Sequence, residues 1–108
     1  MEPHLSLDTV TTLEGTTVSA SGELDMESVD HLKETLTGLF VDETTVRLDL
    51  RNVTFIDSTG INALVLMSRR STERGGRLVL SDPSPAVRRV LDYTGADAVL
   101  NVDDQSAG

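Results

Sequence analysis

The chain has 108 residues and no cysteine, and its 18 acidic against 9 basic residues give a formal net charge of −9. This length predicts a single domain over residues 1–108, and the lack of cysteine excludes disulfides and thiolate metal sites. The excess of carboxylates excludes nucleic acid and anionic lipid as direct ligands and favours partners that carry basic patches.

The N-terminal segment predicts a β-hairpin. It lacks the basic and apolar regions of a signal peptide, and no apolar run in the chain approaches the roughly 20 residues of a membrane span. We therefore expect a cytoplasmic protein with no membrane association. Two β-prone runs, residues 5–13 and 16–21, flank a turn that contains Gly15 and predict two antiparallel strands closed by Gly22.

The middle of the chain predicts a helix, a strand and a second helix. Asp25 is a suitable N-cap, and apolar residues at helical spacing continue to about Val41. The segment 46–51 alternates apolar and polar residues, which predicts a strand with one buried face and one face towards water. A second helix is predicted from Ser58, as its cap, to Arg74, before a pair of glycines. The apolar positions of the first helix are Met26, Val29, Leu32, Leu36, Leu39 and Phe40.

The C-terminal third predicts a further strand and a third helix. The strand lies at 77–80, and Ser84–Pro85 is an N-cap followed by proline at the first helical position. The helix is expected to stop at Gly95. Residues 98–100 then predict either an edge strand or a final turn, and residues 103–108 a disordered polar tail.

The element order β-β-α-β-α-β-α predicts the fold class. Right-handed crossovers between the later strands make them parallel and place their helices on a common face. The hairpin adds an antiparallel contribution. The result is an α/β two-layer sandwich with a mixed four- to five-stranded sheet, helices mainly on one face, and a core over about residues 5–102.

The entrance to the second helix is the candidate functional site. Asp57, Ser58 and Thr59 are consecutive hydrogen-bonding groups at a position where α/β domains place their sites. Two interpretations stay open: Ser58 only caps the helix, or these groups form a binding site. Six of the seven residues 61–67 are apolar, more than one packed face requires, which indicates either an apolar surface for a partner or a tightly wrapped helix. The six are Ile61, Ala63, Leu64, Val65, Leu66 and Met67.

The sequence does not predict an enzyme. Ser58 lacks the Gly-x-Ser-x-Gly elbow of a hydrolase, and the two histidines, His4 and His31, are expected in a loose terminus and on an exposed helix face. Lys33 is the only lysine, and no Gly-rich phosphate loop precedes it. Metal ligands are not clustered, so we expect no metal and no cofactor.

The run from Leu48 to Gly60, Leu-Asp-Leu-Arg-Asn-Val-Thr-Phe-Ile-Asp-Ser-Thr-Gly, resembles the signature of STAS domains, the anti-sigma factor antagonists. Other segments match the family in the same order. They are Gly22–Asp25 before the first helix, Gly75–Leu78 before the fourth strand, and Pro83–Leu91. Gly95 followed by acidic and apolar residues also fits. The resemblance covers about residues 5–102.

The resemblance implies a switch at Ser58. In that family the serine after the loop aspartate is phosphorylated by a serine kinase that is also an anti-sigma factor. The unphosphorylated antagonist binds the kinase and releases the sigma factor, and a PP2C-type phosphatase restores it. Ser58 matches that serine, and Asp25 and Asp57 match bordering acidic positions. Many relatives have serine or alanine at the next position, where this chain has Thr59. The hydroxyl of Thr59 makes it a second candidate acceptor.

The partner surface implied by the resemblance surrounds this serine. Its expected members are Asp25, Asp57, Ser58, Thr59, Gly60, Ile61, Asn62 and Met67. The family also contains STAS domains that act as scaffolds in stress-sensing assemblies or as regulatory subunits of lipid transporters, and these remain the alternative function. A weak homodimer is also left open.

Overall fold

The computed structural model describes residues 4–103 of the chain. Five strands, three α-helices and a short 3-10 helix make up this part of the chain. The strands are β1 (Leu5–Thr12), β2 (Gly15–Leu24), β3 (Thr45–Ile56), β4 (Arg77–Ser81) and β5 (Asn101–Asp103). The α-helices are α1 (Val29–Leu39), α2 (Ser58–Glu73) and α3 (Pro85–Thr94), and the 3-10 helix is Ala96–Ala98.

The strands form one mixed sheet in the order β1-β2-β3-β4-β5. β1 and β2 are the antiparallel hairpin, paired from Leu5 with Gly22 to Thr12 with Gly15. β2, β3, β4 and β5 are mutually parallel, with a helical connection between each successive pair. The predicted mixed sheet with interleaved helices is confirmed.

The core lies between one face of the sheet and the helices. In β3 the side chains of Val46, Leu48 and Leu50 are fully buried, whereas Arg47 and Asp49 on the opposite face remain partly accessible. This is the predicted alternation, which requires one packed and one solvated face. Helical residues complete the same cluster, among them Leu32, Leu36, Leu64, Met67, Val87 and Leu91.

Several element boundaries differ from those predicted. β2 continues through Gly22 to Leu24, because parallel pairing with β3 extends the strand beyond the hairpin. Consequently α1 starts only at Val29, and Met26, expected on its apolar face, lies in the preceding turn with 74% of its surface exposed.

The C-terminal end also differs in detail. Of the two alternatives for residues 98–100, the structure has the turn, which continues the 3-10 helix Ala96–Ala98, and the edge strand follows at 101–103. Asp103, expected in a disordered tail, pairs with Ser81 in the sheet and forms an ion pair with Arg47 at 2.9 Å. The rest of the predicted tail, residues 104–108, lies outside the described residues.

Ser84 is the N-cap of α3, as predicted, and it also joins this helix to the sheet. Its buried hydroxyl accepts a hydrogen bond from the Val87 N–H at 3.2 Å and donates one to the Val53 carbonyl at 2.5 Å. We expect Ser84→Ala to lower the free energy of unfolding by about 1–3 kcal/mol, since it removes a cap and a buried hydrogen bond. Urea unfolding followed by circular dichroism measures the effect. Ser6→Ala, at an exposed strand position, is the control and should change stability by less than about 0.5 kcal/mol.

Candidate functional site

The candidate site lies where β2 and β3 end side by side. Leu24 and Ile56 are partners in the parallel register, so the residues that follow them, Asp25 and Asp57, leave the sheet at the same edge. The Asp57 N–H donates to the Leu24 carbonyl at 3.4 Å, which extends the contact one residue beyond the strands. Both acidic residues of the predicted site are therefore brought to one end of the molecule.

Asp57, not Ser58, caps helix α2. The Asp57 carboxylate accepts a hydrogen bond from the Gly60 N–H at 3.0 Å, and its carbonyl accepts the first helical bond, from the Ile61 N–H, also at 3.0 Å. An aspartate that accepts from the third helical residue is a standard N-cap. The prediction that Ser58 is the cap is wrong: β3 continues to Ile56, Asp57 keeps an extended backbone conformation, and Ser58 is already the first helical residue.

Ser58 is instead the first residue of α2, and it is exposed. Within residues 4–103 the Ser58 hydroxyl forms no hydrogen bond, so no hydrogen bond in this part of the chain depends on it. Thr59, the second candidate acceptor, is partly buried. The more accessible of the two hydroxyls is that of Ser58.

Gly60 allows α2 to start close to the sheet. A Cβ atom at this position would lie 2.7 Å from the Leu24 carbonyl oxygen and 2.8 Å from a side-chain carbon of Ile56. Both distances are shorter than normal carbon contacts, and the carbonyl belongs to the backbone of a central strand. The glycine after Ser58-Thr59 is thus required by packing, and it determines how close to the sheet the first turn of α2, with Ser58, can lie.

His4 belongs to the same end of the sheet, which the sequence did not indicate. Its carbonyl accepts a hydrogen bond from the Glu23 N–H at 2.7 Å, and its Nε2 lies 3.1 Å from Oδ1 of Asp25. Glu27 approaches the same ring nitrogen at 3.9 Å. The antiparallel register of the hairpin, in which Leu5 lies opposite Gly22, is the signal that could have placed His4 beside Asp25.

The His4–Asp25 pair shifts the pKa of both groups. The hydrogen bond to Asp25 raises the pKa of His4 above its ordinary value of 6.5, and the nearby carboxylates add to this effect. Partial burial raises the pKa of Asp25, but the hydrogen bonds from His4 and from the N–H groups of Ser28 and Glu27 outweigh it and hold that pKa below 3.8. The pair is therefore charged on both sides in mildly acidic solution.

The pair should stabilise the fold in a defined pH range. The contribution of protonated His4 is complete below pH 6.5 and is lost as the pH rises through its raised pKa. The contribution of ionised Asp25 is present above pH 3.8 and is lost as the pH falls through its lowered pKa. In an NMR titration we expect the His4 ring to titrate above pH 6.5 and its midpoint to fall in Asp25→Asn. An unchanged midpoint in that variant would contradict the assignment.

The remaining predicted partner residues divide between surface and core. Asn62 is exposed, but Gly60 is buried, and Ile61 and Met67 are only 4% and 0% exposed. The apolar run of α2 is therefore explained by tight wrapping, since Leu64 and Met67 lie in the core, and not by an apolar surface on the helix. The expected surface contribution of Ile61 and Met67 is not present.

The exposed apolar side chains at this end come from the loops and the sheet. Phe55, two residues before Asp57, is 46% exposed, and Met26, directly after Asp25, is 74% exposed. The sequence pattern indicates neither. Helical spacing predicts Met26 on the apolar face of a helix, and Phe55 stands next to the buried Ile56 in an irregular part of β3, where the alternation breaks down.

The surface around Ser58 is acidic. Glu23, Glu27 and Asp30 are exposed on the segment that contains Asp25, and Asp57 stands directly before Ser58. The described residues 4–103 contain no group of three or more His, Asp or Glu side chains arranged to hold a metal ion. In the same range no helix is long and apolar enough to cross a membrane.

A comparison with known families decides the identity of this fold. The model of the STAS domain matches residues 6–107, nearly the whole chain. The chain belongs to the STAS domain family. A characterised relative of this STAS domain is the anti-sigma-B factor antagonist of Bacillus subtilis (strain 168), which is 31% identical over 91 residues, 84% of each chain.

Solved STAS structures share the architecture described above. An anti-sigma factor antagonist from Mycobacterium paratuberculosis superimposes with a TM-score of 0.79 at 24% identity, over 91% of this chain and 84% of that one. The Bacillus cell fate determinant SpoIIAA in its phosphorylated form gives a TM-score of 0.66 at 22% identity, over 95% of this chain and 94% of that one. These likenesses confirm the predicted STAS fold.

Proposed function

We propose that this STAS domain is an anti-sigma factor antagonist that is switched by phosphorylation of Ser58. Its unphosphorylated form binds an anti-sigma factor with serine kinase activity and so releases the sigma factor. The observation that carries the proposal is the exposed Ser58 hydroxyl on the first residue of α2, whose capping role is taken by Asp57. The chain acts by binding and is the substrate of an enzyme, not an enzyme itself.

The position of Ser58 suits a phosphate. The first N–H groups of a helix have no intrahelical partner, and the Asp57 carboxylate accepts from that of Gly60. The N–H groups of the residues before Gly60 and the positive end of the helix dipole favour a negative group beside them. A phosphate should therefore stabilise this helix end, so the inactive state must arise from a change in the surface and not from unfolding.

The surface supports an electrostatic block. A phosphate adds about 1.5 to 2 negative charges at pH 7. Here it would join Asp57 and the nearby Asp25 on a protein whose net charge is already −9. A kinase that buries this surface must then desolvate or exclude the phosphate, which weakens the complex.

The same surface indicates the chemistry of the partner. Exposed Phe55 and Met26 offer apolar contacts, and carboxylates of Glu23 and Glu27 flank them. Interfaces combine an apolar centre with a polar rim, and acidic rims favour basic partners. We infer a kinase face with a basic patch around an apolar depression.

The relatives support this assignment. The name of the Bacillus subtilis relative specifies antagonism of an anti-sigma-B factor, and SpoIIAA has been solved in a phosphorylated form. From the family resemblance we also propose a PP2C-type phosphatase as the enzyme that removes the phosphate, and the cytoplasm as the compartment in which the cycle operates.

A phosphorylation assay tests the proposal. The protein is incubated with an anti-sigma factor kinase encoded in the same genome and ATP, and the modified residue is mapped by mass spectrometry. We expect one phosphate on Ser58, none in Ser58→Ala, and unchanged incorporation in Thr59→Ala, which is the matched control. Modification of Thr59 alone would overturn the proposal. In a separate experiment, copurification of the protein with a transporter ATPase in place of a kinase would also overturn it.

A further inference from the structure

Strand β1 forms a free edge of the sheet. It spans eight residues, and within residues 4–103 no other strand pairs with its outer side. The Glu23 N–H donates to the His4 carbonyl, and hydrogen-bonded rungs alternate along an antiparallel ladder. Even-numbered residues of β1 therefore bond to β2, while Leu5, Leu7, Thr9 and Thr11 direct their N–H and C=O groups outwards.

This edge lacks the usual protection against pairing with another chain. Natural edge strands carry lysine, proline or a bulge, or are very short. β1 contains neither lysine nor proline, Asp8 is its only charged residue, and its register with β2 has no shift. The opposite edge, β5, has only three residues.

The charge distribution makes this edge the part of the surface where a second copy of the chain meets least repulsion. Two copies that each carry a net charge of −9 repel one another over most of their surfaces. Residues 5–13 contain a single charged side chain, Asp8. The edge also exposes apolar groups: Val10 is 61% exposed and Leu13 is fully exposed.

We propose that the protein forms a symmetric homodimer through antiparallel pairing of β1 with β1 of a second copy, centred on Val10. A two-fold axis normal to the sheet pairs residues of equal parity, and odd-numbered residues then exchange backbone hydrogen bonds. An axis at Asp8 would place two carboxylates together. An axis at Val10 pairs the two valines and brings Leu7 of one copy beside Leu13 of the other.

This dimer does not depend on the proposed switch. Strand pairing centred on Val10 extends over residues 8–12 and leaves the first residues of β1, next to His4 and the candidate site, uncovered. The two Ser58 residues then lie at opposite ends of a continuous sheet. Each copy can therefore be bound by a kinase while the dimer persists.

Sedimentation equilibrium of the 108-residue chain provides the first test. The mass is expected to rise with concentration from 11.6 kDa towards that of two chains. Val10→Lys places two ammonium groups together at the axis and should raise the dimer dissociation constant at least tenfold. Ser6→Lys adds the same charge on the same face outside the paired segment and should leave the constant nearly unchanged. A protein that stays monomeric at high micromolar concentration, or equal effects of the two lysines, would overturn the proposal.

Cross-linking tests the register directly. The chain has no cysteine, so single cysteines can be introduced without background. Residues opposite each other in a non-hydrogen-bonded pair have Cα atoms about 4.5 Å apart, which is within the range that a disulfide spans. Val10→Cys should form an interchain disulfide under mild oxidation, and Ser6→Cys should form none. Equal cross-linking of both variants would contradict pairing at Val10, even if phosphorylation of Ser58 behaves as proposed.

Discussion

Protein phosphorylated on Ser58 is expected to bind its kinase partner at least about 100-fold more weakly than the unmodified protein, a difference of about 3 kcal/mol. The reason is local: Ser58 is exposed beside Asp57, and a docked kinase would bury a phosphate there next to existing carboxylates. Isothermal titration calorimetry of both forms against the kinase with bound nucleotide measures the ratio. Equal affinities would remove the basis of the proposed switch.

Variants separate the effect of charge from that of the lost hydroxyl. Ser58→Ala should bind the kinase about as tightly as the unmodified protein, since the Ser58 hydroxyl forms no hydrogen bond within residues 4–103. Ser58→Glu should bind weakly, although a carboxylate carries less charge than a phosphate. Because Asp57 caps the helix, the unmodified protein, Ser58→Ala and Ser58→Glu should have similar melting temperatures. Similar values would exclude unfolding as the cause of weak binding.

Gly60→Ala is expected to lower the free energy of unfolding by about 1–3 kcal/mol, which is typical of an overpacked site. The added methyl group would meet the Leu24 carbonyl at 2.7 Å and a carbon of Ile56 at 2.8 Å, so either the start of α2 or the end of β2 must move. For a domain of this size each kcal/mol lowers the melting temperature by roughly 4–8 °C. Thermal and urea unfolding give the value.

Gly38→Ala is the matched control for this substitution. Gly38 also lies in a helix, α1, but it is exposed and has no atom within 4 Å of the added Cβ. Alanine there reduces the freedom of the unfolded chain and should stabilise the protein by roughly 0.5 kcal/mol. The same chemical change should thus have opposite signs at the two positions. A stabilising Gly60→Ala would show that α2 does not approach β2 as closely as described.

The sequence predicted the elements whose signals are local. The alternation in 46–51 specified which face of β3 is buried, and Ser84–Pro85 marked the start of α3. The parallel arrangement followed from the alternation of strands and helices, because a helical crossover returns the chain to the end of the sheet where the previous strand began. The resemblance to STAS domains added the prediction that Ser58 is phosphorylated. Residue spacing alone left open whether Ser58 is a helix cap or part of a functional site.

Features that depend on contacts between distant residues were missed. The extension of β2 to Leu24 results from pairing with β3, and no local signal marks it. That extension moves the start of α1 to Val29 and leaves Met26 on the surface. The pairing of His4 with Asp25 needs the hairpin register, and the burial of Ile61 and Met67 reflects how closely the sheet wraps α2.

The order of the strands also bears on how the protein is made. Within the described part of the chain, residues 4–103, each strand pairs only with the strands directly before and after it, from β1 to β5. Folding is fastest when contacts join segments near in sequence, and ribosomes extend a chain at about 5–20 residues per second. The sheet can therefore grow by one strand at a time as the polypeptide emerges, and no early strand has to wait for a distant segment to be synthesised.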